Sequence, residues 1–383
     1  MKTPAERHNR ISSPLAESAV ENLLGRSPVR LEEHHIRGSL AGRVVLVTGA
    51  AGSIGSELCR QIARFAPAAI VGLDIAESPL FDSEREMRRQ ASPVPYHIEV
   101  GNIQNRARVD EILREYSPAV VFHAAAYKHV PLMERQVFEA IENNVFGTWN
   151  VASAAAQNGV RDFVLISSDK AVRPASVMGA SKRVAELLTT ALPATTKFVA
   201  VRFGNVLDSN GSVMRVFRKQ IAAGGPVTVT HPDMRRFFMT LPEACQLVLQ
   251  AAVIGASGQI CVLDMGEPIR IVDLARKLIS LSGPRAERAV RIAFTGIRPG
   301  EKLSEEAGAL LENTLPTMHD KVRVVAGDRA PAADTLGRLD GLREICAARD
   351  TQRLVSALRE LVPDYAPGEY LLDRVNLANA QAR

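Results

Sequence analysis

The fold of this chain is decided by the stretch Val44-Val45-Leu46-Val47-Thr48-Gly49-Ala50-Ala51-Gly52-Ser53-Ile54-Gly55-Ser56-Glu57-Leu58. Four apolar, mostly β-branched residues at 44–47 predict a buried strand, and the apolar periodicity of 54–66 predicts a helix. Between them, Gly49 permits a tight turn, Gly52 lets the backbone approach a ligand, and Gly55 lets helix and strand pack closely. Main-chain N–H groups at the start of a helix bind phosphate. The candidate contacts of a pyrophosphate are therefore Gly49, Gly52, Ser53, Ile54 and Gly55.

A carboxylate follows at the distance that dinucleotide binding requires. The apolar stretch 69–73 predicts a second strand, which ends in Asp74, 19 residues after Gly55. A carboxylate at this place meets the adenosine ribose hydroxyls of NAD and repels the 2′-phosphate of NADP. The context therefore favours an NAD site over an ordinary glycine turn, with NADP as the less favoured cofactor. The spacing Gly-x-x-Gly-x-x-Gly resembles the extended short-chain dehydrogenase/reductase superfamily.

The composition is typical of a soluble globular protein, since 46% of the 383 residues are hydrophobic and 23% are charged. The net charge of +5 comes without a Lys/Arg tract, so an anionic substrate explains it better than nucleic acid does. The four cysteines lie far apart without metal-ligand spacing, which indicates a reducing compartment and no metal site. No apolar run approaches the ~18 residues of a membrane span, and residues 1–10 do not form a signal peptide. We therefore expect a cytoplasmic protein without a transmembrane segment.

Strand and helix patterns alternate from residue 43 to 204, which predicts an α/β fold with a Rossmann-type, doubly wound parallel sheet. The predicted strands are 44–47, 69–73, 95–100, 119–123, 162–167 and 198–203. The predicted helices are 54–66, 79–90, 105–116, 134–157 and 178–191. The pattern then loosens into a smaller C-terminal substrate-binding lobe, followed by one amphipathic helix near 352–361. The expected parts are a lead-in (1–40), an NAD-binding domain (41–204), an interleaved substrate-binding lobe (205–330) and a C-terminal extension (331–383).

Residues with catalytic chemistry follow the strand that ends near Ile166. In this fold the end of that strand faces the nicotinamide, where Ser168, Asp169 and Lys170 offer a hydrogen-bond donor, an acid and a candidate base. The stretch Met178-Gly179-Ala180-Ser181-Lys182 stands where the superfamily usually has Tyr-x-x-x-Lys, with both side chains on one helix face. A thioether transfers no proton, so either the site is inactive or another group performs the proton transfer.

Further motifs resemble one family, the nucleotide-sugar 4,6-dehydratases of capsule, O-antigen and protein-glycan biosynthesis, which act on UDP-N-acetylglucosamine. The resemblance covers roughly residues 22–325 and rests on the stretches 123–134, 143–148, 167–174, 177–183, 202–207, 235–240, 263–266 and 298–302. The larger members of this family also carry Met in place of the Tyr, so Met178 fits. They usually have an N-terminal membrane-spanning region and an additional Rossmann-like domain, which this sequence does not show. Residues 23–29 resemble the linker that follows those parts.

The resemblance implies a reaction without net redox change, in which NAD stays bound. A hydride leaves C4 of the sugar, the new ketone acidifies the C5 proton, the C6 hydroxyl departs, and the hydride returns to C6. Lys170 is then the base at C5, and Asp169 is the acid for the C6 hydroxyl. Asp169 or a bound water takes the C4 hydroxyl proton, and Ser168 hydrogen-bonds that oxygen. Lys182 is implied to hold the nicotinamide ribose, and Met178 to pack against substrate or cofactor.

Lys170 can act as the base at C5 only in its neutral form. A free lysine has a pKa near ~10.4. Lys170 is therefore expected to be desolvated, or close to Lys182, and so neutral at pH 7.

The remaining candidate residues divide between cofactor and substrate. On the cofactor side are Asn102 and Ile103, where the family usually has Gly-Asp-Ile beside the adenine, and Ala124, Ala125 and Ala126. Asn102 can still accept a hydrogen bond from an amino group, so a mild effect is expected. On the substrate side are Lys128, Asn205, Arg236, Arg298 and Glu301. We interpret the two arginines as diphosphate ligands rather than surface charges, because guanidinium forks match phosphate oxygens.

Two other functions stay open: a nucleotide-sugar 4-epimerase of the same superfamily, and a catalytically silent NAD-binding regulator. Epimerases keep the Tyr and lack the Asp-Lys pair, so Asp169-Lys170 with Met178 argues against the first. A regulator would bind the cofactor without turnover. Met178 favours retention of configuration at C5. The helices 134–157 and 178–191 resemble the pair that forms a two-fold, four-helix interface in the superfamily, which predicts a homodimer or a higher oligomer.

Overall fold

The computed structural model describes residues 29–89, 93–192, 195–305, 313–326 and 336–381. Its strands are β1 (Val44–Thr48), β2 (Ala69–Asp74), β3 (Tyr96–Val100), β4 (Val120–His123), β5 (Asp162–Ile166), β6 (Lys197–Arg202), β7 (Asn205–Val206), β8 (Val227–Val229), β9 (Arg235–Arg236), β10 (Phe238–Met239), β11 (Gln259–Leu263), β12 (Ile269–Arg270), β13 (Ile292–Phe294), β14 (Thr314–Pro316) and β15 (Val322–Val325). Within the described ranges, nine strands form one central sheet in the order β14-β15-β11-β6-β5-β4-β1-β2-β3.

The helices lie between these strands and after them. They are α1 (Glu33–Leu40), α2 (Ser53–Ile62), α3 (Glu77–Arg89), α4 (Arg106–Tyr116), α5 (Val130–Met133), α6 (Val137–Ile141), α7 (Thr148–Gln157), α8 (Val177–Ala191), α9 (Val213–Ala222), α10 (Leu241–Ile254), α11 (Ile271–Leu281), α12 (Pro284–Ala289), α13 (Leu339–Ala347), α14 (Thr351–Leu361) and α15 (Glu369–Gln381). Short 3₁₀ turns at Ala63–Phe65 and Asp169–Ala171, and a π-helix at Glu142–Gly147, complete the set.

The predicted Rossmann-type sheet is confirmed. Seven strands from β3 to β11 run parallel, while β15 and β14 close one edge antiparallel. All of the parallel strands except the edge strand β3 are apolar and largely buried, as is typical of a parallel sheet. The strand order reverses at β1, which lies between β4 and β2. In such sheets a ligand binds at the carboxyl ends of the strands around this reversal. The glycine loop and the stretch after β5 both lie at that end.

The smaller lobe is interleaved with the sheet. Residues of α9, β8, β10 and α11 share a separate apolar cluster that contains Phe217, Phe238 and Leu278. The stretches of β11, β14 and β15, in contrast, belong to the central sheet and not to the lobe. The reason is that β11 is apolar and almost wholly buried, and it pairs with β6. The division into four parts stays a prediction.

The helix predicted over 134–157 begins later, at Val137, and contains a π-turn: α6, the π-helix and α7 follow one another without a gap to Gln157. Asn144 lies in the π-turn and is fully buried. Its side chain accepts a hydrogen bond from the N–H of Tyr127 (2.8 Å) and donates to the Tyr127 carbonyl (2.9 Å) and to Ser181 Oγ (3.0 Å). A widened turn inside a helix thus holds a distant loop, as is common at functional sites.

The described residues of the C-terminal part, 336–381, form three helices where one was predicted. Apolar residues of α13 and α14 share one cluster with residues of α6 and α8, among them Val137, Ile141, Val184 and Leu188. The helices through which we expect a dimer are therefore partly covered by this chain's own C-terminal helices. The oligomer itself stays a prediction.

No helix among the described residues is long and apolar enough to cross a membrane. No group of three His, Cys, Asp or Glu side chains among them could hold a metal ion. Cys59, Cys245, Cys261 and Cys346 are all free and buried.

Candidate active site

The glycine loop has the close backbone packing that its sequence predicts. Gly49 has φ +71°, and a Cβ there would lie 2.6 Å from the Ala125 nitrogen. A Cβ at Gly55 would lie 2.1 Å from the Gly49 carbonyl oxygen. Any side chain at these two positions would displace the loop or the start of α2. The loop therefore keeps bare main chain, and the first N–H groups of α2, available to a ligand.

Asp74 stands beside this loop at the end of β2. Its Oδ2 accepts a hydrogen bond from the Ala51 N–H (3.0 Å), and its Oδ1 accepts one from the Ala76 N–H (3.0 Å). The carboxylate is thereby fixed across the loop, at the place where a ribose is expected. The apolar side chains of Ile75 and Val100 flank it, 62% and 48% exposed.

The other residues expected at the cofactor differ in what they offer. Asn102 Oδ1 already accepts a hydrogen bond from the Gln104 N–H (2.9 Å). The Ile103 side chain is buried in the core, so only its main chain is left for a ligand. Ala124 continues β4 by donating its N–H to the Thr48 carbonyl (3.0 Å). Ala124 and Ala126 border the cavity described next, whereas Ala125 does not.

A cavity of about 550 Å³ opens at the carboxyl ends of β4, β5 and β6. This volume is in the range of small-ligand sites. Twelve of the predicted site residues border it: Ile54, Ala124, Ala126, Lys128, Ser168, Lys170, Met178, Lys182, Asn205, Arg236, Arg298 and Glu301. Gly49, Gly52, Ser53, Gly55, Asp74, Asn102, Ile103, Ala125 and Asp169 do not border it.

Ser168, Asp169 and Lys170 form a hydrogen-bonded cluster with Asn205. Lys170 Nζ donates to Asp169 Oδ1 and to Asn205 Oδ1, both at 3.0 Å. Ser168 Oγ also donates to Asp169 Oδ1 (3.0 Å). Asp169 Oδ2 has no hydrogen-bond partner among the described residues. A Cβ at Gly204, which borders the cavity, would lie 3.1 Å from that buried oxygen, so a side chain there would press against Asp169.

The expectation that Lys170 is neutral is wrong for the substrate-free protein. Burial lowers the pKa of its ammonium, but the carboxylates of Asp169 and Glu305 outweigh burial and raise that pKa above the ordinary value. Glu305 Oε1 lies 3.5 Å from Lys170 Nζ. Lys170 is therefore a cation held between two carboxylates.

Lys182 has the opposite electrostatics. It lies on α8, one helical turn after Met178, and its Nζ donates to the Ile166 carbonyl (2.5 Å). Burial lowers the pKa of this lysine to about 8. Met178 is itself buried, and it borders the cavity where the superfamily has a tyrosine.

The cationic side chains that we expect to contact the substrate differ in exposure and in hydrogen-bond partners. Lys128 Nζ is 3.5 Å from Ser209 Oγ, and burial lowers its pKa. The Arg298 side chain is 59% exposed and is paired with Glu301 (2.6 Å). Arg236 is buried, with its guanidinium donating to the carbonyls of residues 235, 302 and 303. Of the two arginines, Arg298 is thus the one free to move toward an anion.

Sequence reasoning missed two carboxylates. Glu305 is buried, borders the cavity and faces both Lys170 and Arg236. Glu186, on α8, is fully buried and accepts hydrogen bonds from Ser167, Arg183 and Arg202. The spacing of four between Lys182 and Glu186 could have shown that they share a helix face. No local signal joins Glu305 to Lys170, because their pairing depends on the tertiary fold.

Curated relatives of the chain include proteins of polysaccharide biosynthesis. The probable polysaccharide biosynthesis protein EpsC of Bacillus subtilis is 53% identical over 300 residues, 78% of this chain and 50% of that protein. The capsular polysaccharide biosynthesis protein CapD of Staphylococcus aureus is 51% identical over 291 residues, 75% and 48% of the two chains. The chain thus spans about half the length of these relatives. A UDP-glucose 4-epimerase of Rickettsia canadensis is 37% identical over 269 residues, 68% and 76% of the two chains.

Solved structures share the fold. The X-ray structure of Pen from Bacillus thuringiensis has a TM-score of 0.68 and 31% identity, covering 76% of this chain and 92% of that one. The dTDP-glucose 4,6-dehydratase DesIV of Streptomyces venezuelae, determined with NAD bound, has a TM-score of 0.60 over 79% and 99% of the chains. At 20% identity, this second likeness is one of fold alone. A family profile described as polysaccharide biosynthesis protein matches residues 45–326. The chain therefore belongs to the polysaccharide biosynthesis protein family, and it is related to UDP-glucose 4-epimerases.

Proposed function

We propose that this protein is a UDP-N-acetylglucosamine 4,6-dehydratase, which removes water across C5 and C6 of the sugar during a transient oxidation at C4. The observation that carries the proposal is the hydrogen-bonded cluster of Ser168, Asp169 and Lys170. Ser168 and Lys170 border the same cavity as Met178 and Lys182. An amine and a carboxylate stand at the strand end, while the residue at the usual tyrosine position cannot transfer a proton. Such a pair suits an elimination, which needs a base and an acid.

The residues present fit NAD as the cofactor. Gly49 and Gly55 leave a bare backbone cradle before α2, and the carboxylate of Asp74 is fixed beside it. Bound there, NAD would accept a hydride from C4 and return it to C6. The 2′-phosphate of NADP would meet the charge of Asp74, so NAD is the preferred form. The NAD-bound dehydratase of the same fold supports this choice.

The protein's own residues supply the proton transfers. Asp169 takes the proton of the C4 hydroxyl and later gives it to the departing C6 hydroxyl. Lys170, once neutral, takes the C5 proton and returns one to C5, with retention of configuration. Ser168 hydrogen-bonds the C4 oxygen, and Lys182 holds the nicotinamide ribose. Lys128, Asn205, Arg236, Arg298 and Glu301 all border the cavity, and we assign them to the substrate. The cations among them suit a diphosphate.

The decisive measurement is loss of one water from UDP-N-acetylglucosamine, followed by mass spectrometry. The wild-type product should also carry solvent deuterium at C5, and its new C6 hydrogen should come from C4. Lys170→Ala should still form some enzyme-bound reduced cofactor, yet lose product and C5 exchange by roughly 10²–10⁴-fold. Lys170→Arg is the matched control, because arginine keeps the cation but never becomes a base. If either variant turned over within a few-fold of wild type, Lys170 would not be the base.

A second candidate function is 4-epimerisation, which the 37% identity to a UDP-glucose 4-epimerase favours. An epimerase would return a C4 isomer of unchanged mass, visible by NMR. A silent NAD-binding regulator would bind the cofactor and return the sugar unaltered. The same incubation therefore separates the three functions. The names of the relatives, which include capsular polysaccharide biosynthesis, support a role for the product in a surface glycan.

A further inference from the structure

The cavity holds a second carboxylate against Lys170. Glu305 is 6% exposed, and its Oε1 lies 3.5 Å from Lys170 Nζ and 3.6 Å from Arg236 Nε. Asp169 Oδ1 lies 3.0 Å from the same ammonium. The lysine thus has two buried acids within reach of its proton.

The proposed reaction needs two proton acceptors besides Lys170, and this inference rests on that proposed function. Lys170 is a cation in the substrate-free protein, so it must lose one proton before it can act on C5. Oxidation at C4 releases a second proton, from the C4 hydroxyl. If Asp169 takes that second proton, it cannot also hold the proton of Lys170. A second acceptor is therefore required beside the lysine.

We propose that Glu305 is a catalytic residue that takes the proton of Lys170 when substrate fills the cavity. The transfer converts Lys170-NH₃⁺ and Glu305-COO⁻ into Lys170-NH₂ and Glu305-COOH, so the net charge of the site is unchanged. The amine then takes the C5 proton and returns one to C5 after the hydride reaches C6. On product release Glu305 gives its proton back, which restores the ion pair. Asp169 meanwhile moves the C4 hydroxyl proton to the departing C6 oxygen, so the cycle closes with one water formed.

The surrounding groups favour Glu305 for this task. The two carboxylates among the described residues that border the cavity are Glu301 and Glu305. Glu301 is paired with Arg298 at 2.6 Å, whereas Glu305 faces Lys170. The cations around Lys170 are Arg236 beside Glu305, and Lys182 and Lys302 at the cavity wall. Water excluded by bound substrate makes separated charges costlier than the neutral pair, which drives the transfer.

Proton exchange within a pair leaves a signature in pH dependence. When Glu305 accepts the proton, the neutral form of Lys170 arises without loss of a proton to solvent. The rate of C5 deuterium exchange in wild type should then be flat around neutral pH. In Glu305→Gln, while Asp169 holds the C4 hydroxyl proton, Lys170 becomes neutral by releasing its proton to solvent. The exchange rate should therefore rise roughly tenfold for each pH unit up to the pKa of Lys170.

The test measures C5 exchange against pH for the full-length protein with bound cofactor. Glu305→Asp, which keeps a carboxylate, should restore a flat profile at a lower rate. Glu301→Gln should raise the KM but keep the profile flat. A flat profile for Glu305→Gln, or a rising one for wild type, would overturn the assignment of Glu305. Absence of water loss by wild type would overturn the proposed function as well, so the two failures are distinguishable.

A readout without turnover checks the same contact. Competitive acetylation of Lys170 in substrate-free protein reports the pKa of its amine. Glu305→Gln should lower that pKa, because one of the two carboxylates that hold the ammonium is removed. An unchanged reactivity profile would contradict the contact on which the proposal depends. Thermal unfolding and bound-cofactor content show for each variant that the fold is intact.

Discussion

The buried carboxylate of Glu186 should contribute strongly to the free energy of unfolding. Its carboxylate accepts hydrogen bonds from Arg202 Nε (2.8 Å) and Nη2 (2.6 Å), from Arg183 Nη1 (3.1 Å) and from Ser167 Oγ (2.5 Å). These contacts join α8 to the ends of β5 and β6, after which Asp169-Lys170 and Asn205 follow. The change to test is Glu186→Gln, which keeps the shape and removes the charge.

Two arguments give a similar loss of folding free energy for Glu186→Gln. Burial would raise the pKa of Glu186, but the charges of Arg202 and Arg183 and the bond from Ser167 outweigh it and lower the pKa from 4.5 to about 2. At about 1.4 kcal/mol per pKa unit, that difference corresponds to about 3 kcal/mol of folding free energy. Removal of one partner from a buried ion pair costs about 3–5 kcal/mol, because the other charge stays buried and unpaired.

The pH range follows from the direction of this shift. The unfolded chain protonates the carboxylate near pH 4.5, while the folded protein keeps it ionised down to about pH 2. Its contribution is therefore complete above pH 4.5 and is lost as the pH falls toward 2. The difference between wild type and Glu186→Gln should shrink within that acid range.

Urea denaturation at neutral pH and in the acid range measures both effects. The control is Glu360→Gln, whose carboxylate is 67% exposed and pairs with Arg338 at 2.7 Å. Such a surface pair contributes about 0–1 kcal/mol. A difference of less than about 1 kcal/mol between the two variants at neutral pH would refute the predicted role of Glu186. A loss of unfolding free energy in Glu186→Gln that stayed constant on acidification would refute it as well.

Two further predictions concern the cofactor. Gly55→Ala places a Cβ 2.1 Å from the Gly49 carbonyl oxygen and should abolish copurified NAD, measured by extraction; Gly38→Ala, with nothing within 4 Å, should keep it. Full NAD content in Gly55→Ala would show that the loop can move aside. Asp74 should favour NAD over NADP by more than roughly tenfold in Kd, since like charges about 4 Å apart near a protein surface repel by about 4 kcal/mol. Asp74→Asn should narrow that ratio in a binding titration, and a wild type that copurified mainly with NADP would contradict the prediction.

The sequence predicts those parts of the fold that depend on local pattern. The glycine loop, β1 and the position of Asp74 follow from spacing alone, because each relies on neighbours close in the chain. The π-turn at 142–147 could not be predicted, since the partners of Asn144 there, Tyr127 and Ser181, are distant in the sequence. The pairing of β11 with β6 could not be predicted either, because several apolar segments of the sequence could pair with the free edge of β6.

In the candidate site, too, contacts between residues distant in the sequence could not be predicted. Residues at strand ends, such as Lys170 and Asn205, could be expected to lie together, because parallel strands end at one edge of a sheet. The pKa of Lys170 is raised by Asp169, its neighbour in the sequence, and by Glu305. Only the contribution of Glu305 could not be predicted, because this residue reaches the cavity from a distant loop. Contacts between distant loops depend on tertiary packing, and the hydrophobic periodicity of the sequence does not indicate them.

The order of strands in the central sheet has a consequence for synthesis on the ribosome. β6, whose residues Phe198 to Val201 are buried in the finished protein, pairs with β5 on one side and with β11 on the other. While the chain grows, β6 precedes β11 by the whole of β7–β10, α9 and α10. At about 5–20 residues per second, the apolar edge of β6 waits about 3–11 s for its partner. An unpaired apolar edge invites pairing with other chains. A nascent chain stalled between residues 203 and 258 would therefore be a template for aggregation, so rapid, uninterrupted elongation through the lobe protects the yield of folded protein.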